Sequence, residues 1–219
     1  MPIHGIVRFL IQGARAWWSI WHDISKSWIG SPSNFKMRAA FLYTITFFIV
    51  CCFYARSQDP VKNAYKENED KAERDLVDKN VAEFLVKATE GRLNNINEAK
   101  LGVLKGSTSD VRNYAQLMMK DQTSMLEELK KIAAERNVSL PDGVSDKSRE
   151  GQMDLSEEAG RDFDEKFMKM IRVGIERDIK LLEKANEFSD SGIKSFVEKY
   201  LPVIQSHLEK IQRIENGDF

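Results

Sequence analysis

The chain of 219 residues contains only two cysteines and three histidines. Both cysteines, Cys51 and Cys52, lie in one apolar run, and adjacent cysteines rarely bridge each other. No Cys-x-x-Cys pattern occurs, so neither a disulfide framework nor a zinc site of the usual spacing is expected. The fold must therefore be held by packing alone, and the roughly 150 residues after the apolar run are enough for one core.

The patterns that carry catalysis or phosphate binding are also missing. Di-iron helical bundles use Glu-x-x-His twice, and no histidine of this chain has a glutamate three positions before it. There is no Gly-x-x-x-x-Gly-Lys phosphate loop and no Gly-x-Ser-x-Gly elbow. We therefore expect no enzymatic activity and no cofactor.

Charge is distributed unevenly, although the net charge is only −1. Residues 1–38 contain five basic residues and one acidic residue, and the chain beyond residue 55 is net acidic. An acidic surface repels phosphates, so we expect no nucleic-acid partner. Basic residues stay on the cytoplasmic side of a membrane span, which predicts residues 56–219 on the outer side.

An uncharged apolar run, residues 39–55, divides the chain. It is at the short limit for a membrane-spanning helix, which needs about 17–25 residues, and long for a signal-peptide core of about 7–15. We predict a transmembrane anchor or signal segment at 37–56. A retained anchor is the first alternative, a lipoprotein lipidated at Cys51 or Cys52 the second, and a released protein the third.

Two further segments flank this run. Residues 1–36 hold all four tryptophans at helical spacing, which predicts a basic amphipathic helix at the membrane interface. The alternative is that translation starts at Met37, since the residues from there have the form of a signal peptide. Residues 57–74 are densely charged and predict a linker or a solvated helix extension.

A helical apolar pattern extends from residue 75 to residue 215 and predicts an all-α domain. Apolar residues recur every three or four positions in four stretches, and strand signals are nearly absent. Four amphipathic helices, each marginal alone, bury their apolar faces best as a four-helix bundle. The first helix is predicted to stop at Gly106, and the second to be capped at Thr108 and to end near Asn137. A polar connection then extends to about Ser156. The third helix is predicted to end near Ser189, and residues 189–191 offer a cap for the fourth. Pro202 is expected to kink or restart the last helix.

A few polar residues fall on or beside the inward faces of these helices. They are Gln122, Asp178 and His207, with Asn95 close to them. They are weak candidates for a metal site, and the alternative is a set of hydrogen-bonded polar side chains in the core. Because the other ligands are missing, we favour the second interpretation and predict no metal.

Four stretches carry a resemblance to a known family. They are FLVKATEG at 84–91, VRNYAQLMMKD at 111–121, FDEKF at 163–167 and LPVIQSHL at 201–208. Residues from about 75 to 215 resemble the bacterial ferritin-like domain of unknown function that is described as a predicted outer-membrane protein. The resemblance implies a ferritin-like four-helix bundle, exported to the cell envelope behind a signal or anchor.

The chain also departs from this family at the positions that matter for metal binding. The family usually has histidines where this chain has Gln122 and Ile175, and glutamates where it has Asn95 and Asn97. Only His207 remains. If any members bind a metal through these positions, the resemblance implies that this chain has lost the site.

These observations lead to one expected function and two alternatives. We expect a membrane-tethered helical-bundle protein of the bacterial periplasm or envelope, without catalysis, that binds an envelope protein partner or has a structural role. One alternative is a ferritin-like metal-binding protein or oxidoreductase with a degraded site. The other is a bundle that binds an apolar ligand in a gap around Pro202 and Gly174. The sequence predicts no oligomeric state.

Overall fold

A computed structural model describes residues 59–216 of the chain. The predictions for residues 1–36 and 37–56 lie outside these described residues. Within them all regular structure is helical, as predicted, and no strand occurs. The six helices are α1 (Pro60–Ala72), α2 (Lys79–Lys105), α3 (Ser109–Glu135), α4 (Asp146–Glu157), α5 (Gly160–Ala185) and α6 (Ser191–Asn216). Between residues 59 and 216, no helix combines the length and the apolar character needed to cross a membrane.

The four long helices α2, α3, α5 and α6 each run antiparallel to two neighbours. α2 and α3 form one helical hairpin, and α5 and α6 form another. Between the hairpins, α2 contacts α5 and α3 contacts α6. Gly91 of α2 lies against Asp178 of α5, and Asn95 lies against Gly174, so the two chain directions are opposed.

The apolar faces of these helices meet in one core. The rings of Phe163 and Phe167 stack with centroids 5.9 Å apart, and Phe84 contacts Phe196 edge to face with centroids 6.5 Å apart. In the last three long helices, the apolar residues that recur every three or four positions are largely buried. This burial confirms the helical period read from the sequence. Removing this apolar area from water is the main driving force for the fold.

The predicted helix ends are confirmed where the sequence offers caps. Gly106 ends α2, and the Thr108 hydroxyl accepts a hydrogen bond from the Val111 amide at the start of α3. Asp190 caps α6 by accepting from the Ile193 amide. The same carboxylate takes two bonds from Arg136, at 2.7 and 2.6 Å, which joins the end of α3 to the start of α6. Of the kink or restart predicted at Pro202, the restart does not occur, because α6 continues through this residue.

Helix α4 corrects the predicted polar connection between α3 and α5. Because α3 and α5 point the same way, the chain between them must return along the whole domain. α4 makes this return along α2 and α5, with the Ser148 hydroxyl near Glu90 and Lys105 bonded to the Ser156 carbonyl. Leu155 is its only fully buried residue, so its sequence lacks the apolar stripe that identifies a helix.

Residues 57–74 were predicted to be a linker or a solvated helix extension, and the structure places helix α1 there, docked rather than fully solvated. Val61 and Ala64 pack against Val86 of α2. The Asn68 side chain forms two 2.8 Å hydrogen bonds with the backbone of Ser139, as donor to its carbonyl and as acceptor from its amide. The segment is therefore docked along most of its length. Sequence reasoning missed it because most of the attachment is polar.

Gly102 allows the closest approach among α2, α3 and α5, and substituting it tests the packing. A Cβ atom there would lie 2.6 Å from Phe167 Cζ and 2.7 Å from Ala115 Cβ. Because Ala115 Cβ is fixed to the backbone, we expect Gly102→Ala to lower the free energy of unfolding by about 1–3 kcal/mol. Urea denaturation measures this change.

Gly151→Ala on α4 is the matched control. Its Cβ would lie 3.6 Å from Met170 Cε, an ordinary contact, and alanine favours the helix by up to about 1 kcal/mol over glycine. Equal effects of the two substitutions would contradict the close approach at Gly102.

Candidate functional site

Polar side chains are concentrated in the interior at the middle of the long helices. Each of them is at most 9% exposed, and they come from α2, α3, α5 and α6. They are Thr89, Arg92, Asn94, Asn95, Glu98, Gln122, Asp178 and His207. Such groups are costly to bury unless they are paired, so their contacts define the candidate site.

The ion pair between Arg92 and Asp178 forms the centre of this cluster. Arg92 is 1% exposed, and its Nη2 donates to Asp178 Oδ2 across the α2–α5 interface. Its Nη1 lies 3.6 Å from the sulfur of Met125 on α3. Burial lowers the pKa of the Arg92 guanidinium, and the charge of Asp178 opposes that effect. The guanidinium keeps its charge in proteins, so the carboxylate is neutralised within the core.

Two amides complete the centre. Asn95 Nδ2 donates to Asp178 Oδ2 at 3.0 Å and lies 3.4 Å from Gln122 Oε1, which connects α2, α3 and α5. Two glycines make room for these side chains. A Cβ on Gly91 would lie 2.9 Å from Asp178 Oδ1, and one on Gly174 would lie 3.1 Å from Asn95 Oδ1. The gap expected near Gly174 is therefore filled by Asn95.

His207 forms a separate pair between α6 and α3. Its Nε2 lies 3.1 Å from Asp121 Oδ2, and its ring meets the Tyr114 ring edge to face with centroids 5.8 Å apart. Burial lowers the pKa of His207, whereas the charge of Asp121 raises it. Burial also raises the pKa of Tyr114. His207 Nδ1 and the Tyr114 hydroxyl have no hydrogen-bond partner among the described residues.

A third group lies between α2 and α4. Asn94 Nδ2 donates to Glu98 Oε1 at 2.8 Å, and Gln152 Nε2 of α4 donates to Asn94 Oδ1 at 2.9 Å. Glu98 is 3% exposed, and its Oε2 has no partner within residues 59–216. Burial is the largest influence and raises the pKa of Glu98 to about 7, although the Asn94 bond and the charge of Arg177 act in the opposite direction.

The structure brings together only part of the set proposed from sequence. Asp178, Gln122 and Asn95 are buried as predicted and form one hydrogen-bonded group. His207 is buried too, but its bonded partner is Asp121 rather than any of these three. The prediction of hydrogen-bonded polar residues in the core therefore describes the observed contacts.

Two residues central to the cluster, Arg92 and Glu98, were missed. Arg92 lies on the inward face of α2 between Ala88 and Ile96, where a long charged side chain interrupts an apolar stripe. That interruption of the apolar stripe was the sequence signal from which the burial of Arg92 could have been predicted. Glu98 is bonded to Asn94, which in turn binds Gln152 of α4, a helix that the sequence did not indicate. The burial of Glu98 therefore had no counterpart in the apolar pattern.

The donor set does not fit the metal pair of a di-iron bundle. Such a site needs carboxylates and imidazoles that converge from facing helices. Here the guanidinium of Arg92 occupies the position beside Asp178, and the neighbouring residues are neutral amides. In the described part of the chain no three histidine, cysteine or acidic residues are grouped for a metal ion.

The described residues form an all-helical domain, and polar side chains buried in its interior bond to one another. The chain belongs to the family described as domain of unknown function (DUF4142), which matches residues 66–214. The match excludes the whole apolar run at 39–55 and the tryptophan-rich segment before it.

One solved structure is similar in fold, a DUF305 fragment from Deinococcus radiodurans. The TM-score is 0.58 at 8% sequence identity, over 63% of this chain and 96% of that one. A comparison with curated proteins found no match. The names of the family and of the structure state neither a ferritin-like fold nor an outer-membrane location, so the comparisons establish a helical domain and no activity.

Removing Arg92 tests whether the central ion pair organises the core. Arg92→Met leaves Asp178 charged and unpaired in the interior, so we expect the free energy of unfolding to fall by about 3–5 kcal/mol. Adding Asp178→Asn removes that charge and should restore part of the loss. Chemical denaturation of the single and double variants measures the coupling.

The exposed pair Arg161–Glu165, with side chains 89% and 62% exposed, supplies the control. Arg161→Met should change stability by no more than about 0.5 kcal/mol. An equally small effect of Arg92→Met would show that the central pair is dispensable.

His207 predicts a loss of stability in acid. Because the pKa of His207 is lowered in the folded state, the unfolded chain takes up the proton first as the pH falls below about 6.5, the ordinary pKa of histidine. The contribution of His207 is therefore complete above that pH and decreases below it. Denaturation between pH 5 and 7.5, compared with His207→Gln, measures this contribution.

Both proteins should also carry Glu98→Gln, because Glu98 titrates in the same range with the opposite sign. If His207→Gln leaves the pH dependence unchanged in that background, His207 is not the group responsible.

Proposed function

We propose that this protein is a non-catalytic helical-bundle domain, tethered to the membrane of a bacterial envelope and facing the periplasm. Its role is to bind a protein partner or to stabilise the envelope. The observation that carries the non-catalytic assignment is the Arg92 guanidinium, which neutralises Asp178 at the centre of the core.

The chemistry of this centre supports that assignment. A metal in a helical bundle is held where carboxylates from facing helices converge and leave a position open for substrate. In this domain the guanidinium of Arg92 supplies the positive charge beside Asp178, where such a bundle would hold its metal. Unlike a metal ion, it is a fixed part of the chain. Asn95 and Gln122 use their amides to bind one another and Asp178. The arrangement holds helices together and offers no reactive group to a substrate.

We further propose that the four long helices constitute a ferritin-like bundle. Ferritin-like folds have one long crossover connection among antiparallel neighbours. The antiparallel contacts of α2, α3, α5 and α6, with α4 in the connection between α3 and α5, agree with that topology. The sequence resemblance at 84–91 and 201–208 supports the same proposal.

Tethering rests on sequence features alone. The uncharged run at 39–55 and the basic residues before it favour a retained anchor with the helical domain outside. The absence of a disulfide pattern is compatible with this location, because packing and buried polar contacts hold the domain together.

The rival function is a metal protein with a degraded site. His207 and the carboxylate of Asp121 support it, because His207 Nδ1 has no partner among the described residues. An apolar ligand site around Gly174 is less well supported, since Asn95 fills that position.

Metal uptake by the full-length protein, extracted from membranes in detergent, distinguishes these functions. After incubation with Fe(II), Zn(II) or Cu(II) and gel filtration, elemental analysis should find no stoichiometric metal. Stoichiometric binding that His207→Ala abolishes would establish the rival. Lys210→Ala, one turn further along α6, is the matched control and should change nothing.

The intact mass of the same preparation tests the tether. An uncleaved chain, or one that begins at Met37 and retains the apolar run, is the expected result. An acylated chain that begins at Cys51 or Cys52 would replace the anchor with a lipoprotein. A soluble chain that begins beyond residue 55 would overturn tethering.

A further inference from the structure

Helix α4 is attached to the domain by few contacts. Leu155 is its only fully buried residue, and Met153 on its outer side is 61% exposed. At its C-terminal end, Lys166 of α5 pairs with Asp154 and with Glu158. The polar attachment at its middle is Gln152, which bonds to Asn94 and lies 3.5 Å from the Asn97 amide. Helices with so few buried contacts open at low free-energy cost.

A buried acid lies directly beneath this attachment. Gln152 binds Asn94, and Asn94 in turn donates to Glu98 Oε1, so the three side chains form a chain from α4 into α2. Glu98 Oε2 is buried without a partner in the described residues. A protonated carboxyl tolerates this position far better than a carboxylate, because an unpaired buried charge is much more costly than a neutral polar group.

The surrounding charges do not remove this cost. On α5, Arg177 favours ionisation of Glu98 and Asp178 opposes it, and Asp178 is already paired with Arg92. Several other charged side chains near α4 make contacts of their own. On α4, Arg149 pairs with Asp146 and Asp154 with Lys166; on α2, Glu90 contacts Ser148 and Lys105 binds the Ser156 carbonyl.

We propose that α4 is a proton-controlled strap, closed over α2 and α5 while Glu98 holds its proton and loosened when Glu98 ionises. The ionised carboxylate needs water, and water reaches it most easily by displacing α4, because α2 and α5 are fixed to each other through Arg92 and Asp178. The proposal is independent of the membrane-tethered role.

The direction of the effect follows from the pKa of Glu98, which burial raises to about 7 from its ordinary value of 4.5. Between these values the closed form keeps a proton that the open form loses, so closure weakens as the pH rises through this range. Above about pH 7 both forms are ionised, and the strap has reached its weakest closure.

Hydrogen exchange of the full-length protein in detergent, followed by mass spectrometry, tests the strap. After correction for intrinsic exchange rates, the amides of Asp146–Glu157 should lose protection by about tenfold or more between pH 5 and pH 8, which corresponds to one pKa unit or more of linkage. Amides in the middle of α3 should keep their protection. Unchanged protection of α4 in the wild-type protein would overturn the proposal.

Three variants complete the test. Glu98→Gln copies the protonated acid, so α4 should stay protected at both pH values; a wild-type response in this variant would refute the proposal. Glu90→Gln is the matched control, because Glu90 also lies on α2 and contacts α4 but is only half-buried, and it should respond as wild type. Gln152→Ala should expose α4 already at pH 5, and full protection there would show that Gln152 does not hold the strap.

Discussion

The buried guanidinium of Arg92 is the constraint on which the rest of the interior depends. A charge at this depth is tolerated only with an opposite charge and hydrogen bonds around it, and Asp178 provides both from the facing helix. The pairing fixes the register of α2 against α5, where Gly91 makes room for Asp178 and Gly174 makes room for Asn95. It also positions Asn95, through which Gln122 and α3 join the same network. One ion pair thus determines how three of the four long helices meet.

Asp178 and Glu98 differ in how a negative charge on them is compensated, and this difference separates the ion-paired centre from a more responsive edge. Asp178 Oδ2 receives bonds from both Arg92 and Asn95 and does not depend on any mobile element. Glu98, nearer the surface, has one bonded oxygen and, within residues 59–216, one oxygen without a partner, and the middle of the neighbouring helix α4 is attached through Gln152. A domain with an ion-paired core can therefore still contain one element whose position depends on a proton. On α2, Arg92 of the ion-paired centre and Glu98 of the responsive edge lie about two helical turns apart.

Much of the helical architecture could be predicted from residue periodicity, and the reasons for the failures are specific. The long helices have apolar stripes and recognisable caps such as Thr108 and Asp190, so their limits followed from local chemistry. α1 and α4 have almost no apolar stripe, and their docking depends on single polar side chains such as Asn68 and Gln152. The inward position of Gln122, Asp178 and His207 was also readable from spacing. Their partners were not, because Arg92 and Asp178 are separated by 86 residues along the chain.

The attachment of α1 determines the order in which the domain can assemble. Asn68 binds the backbone of Ser139, which lies 71 residues further along the chain and beyond the whole α2–α3 hairpin. During synthesis α1 is made first, yet its docking partner emerges only after that hairpin is complete. Local helical hairpins form faster than contacts between distant residues. The first helix of the domain therefore completes its docking only after the α2–α3 hairpin has formed, and until then the Asn68 amide is open to water.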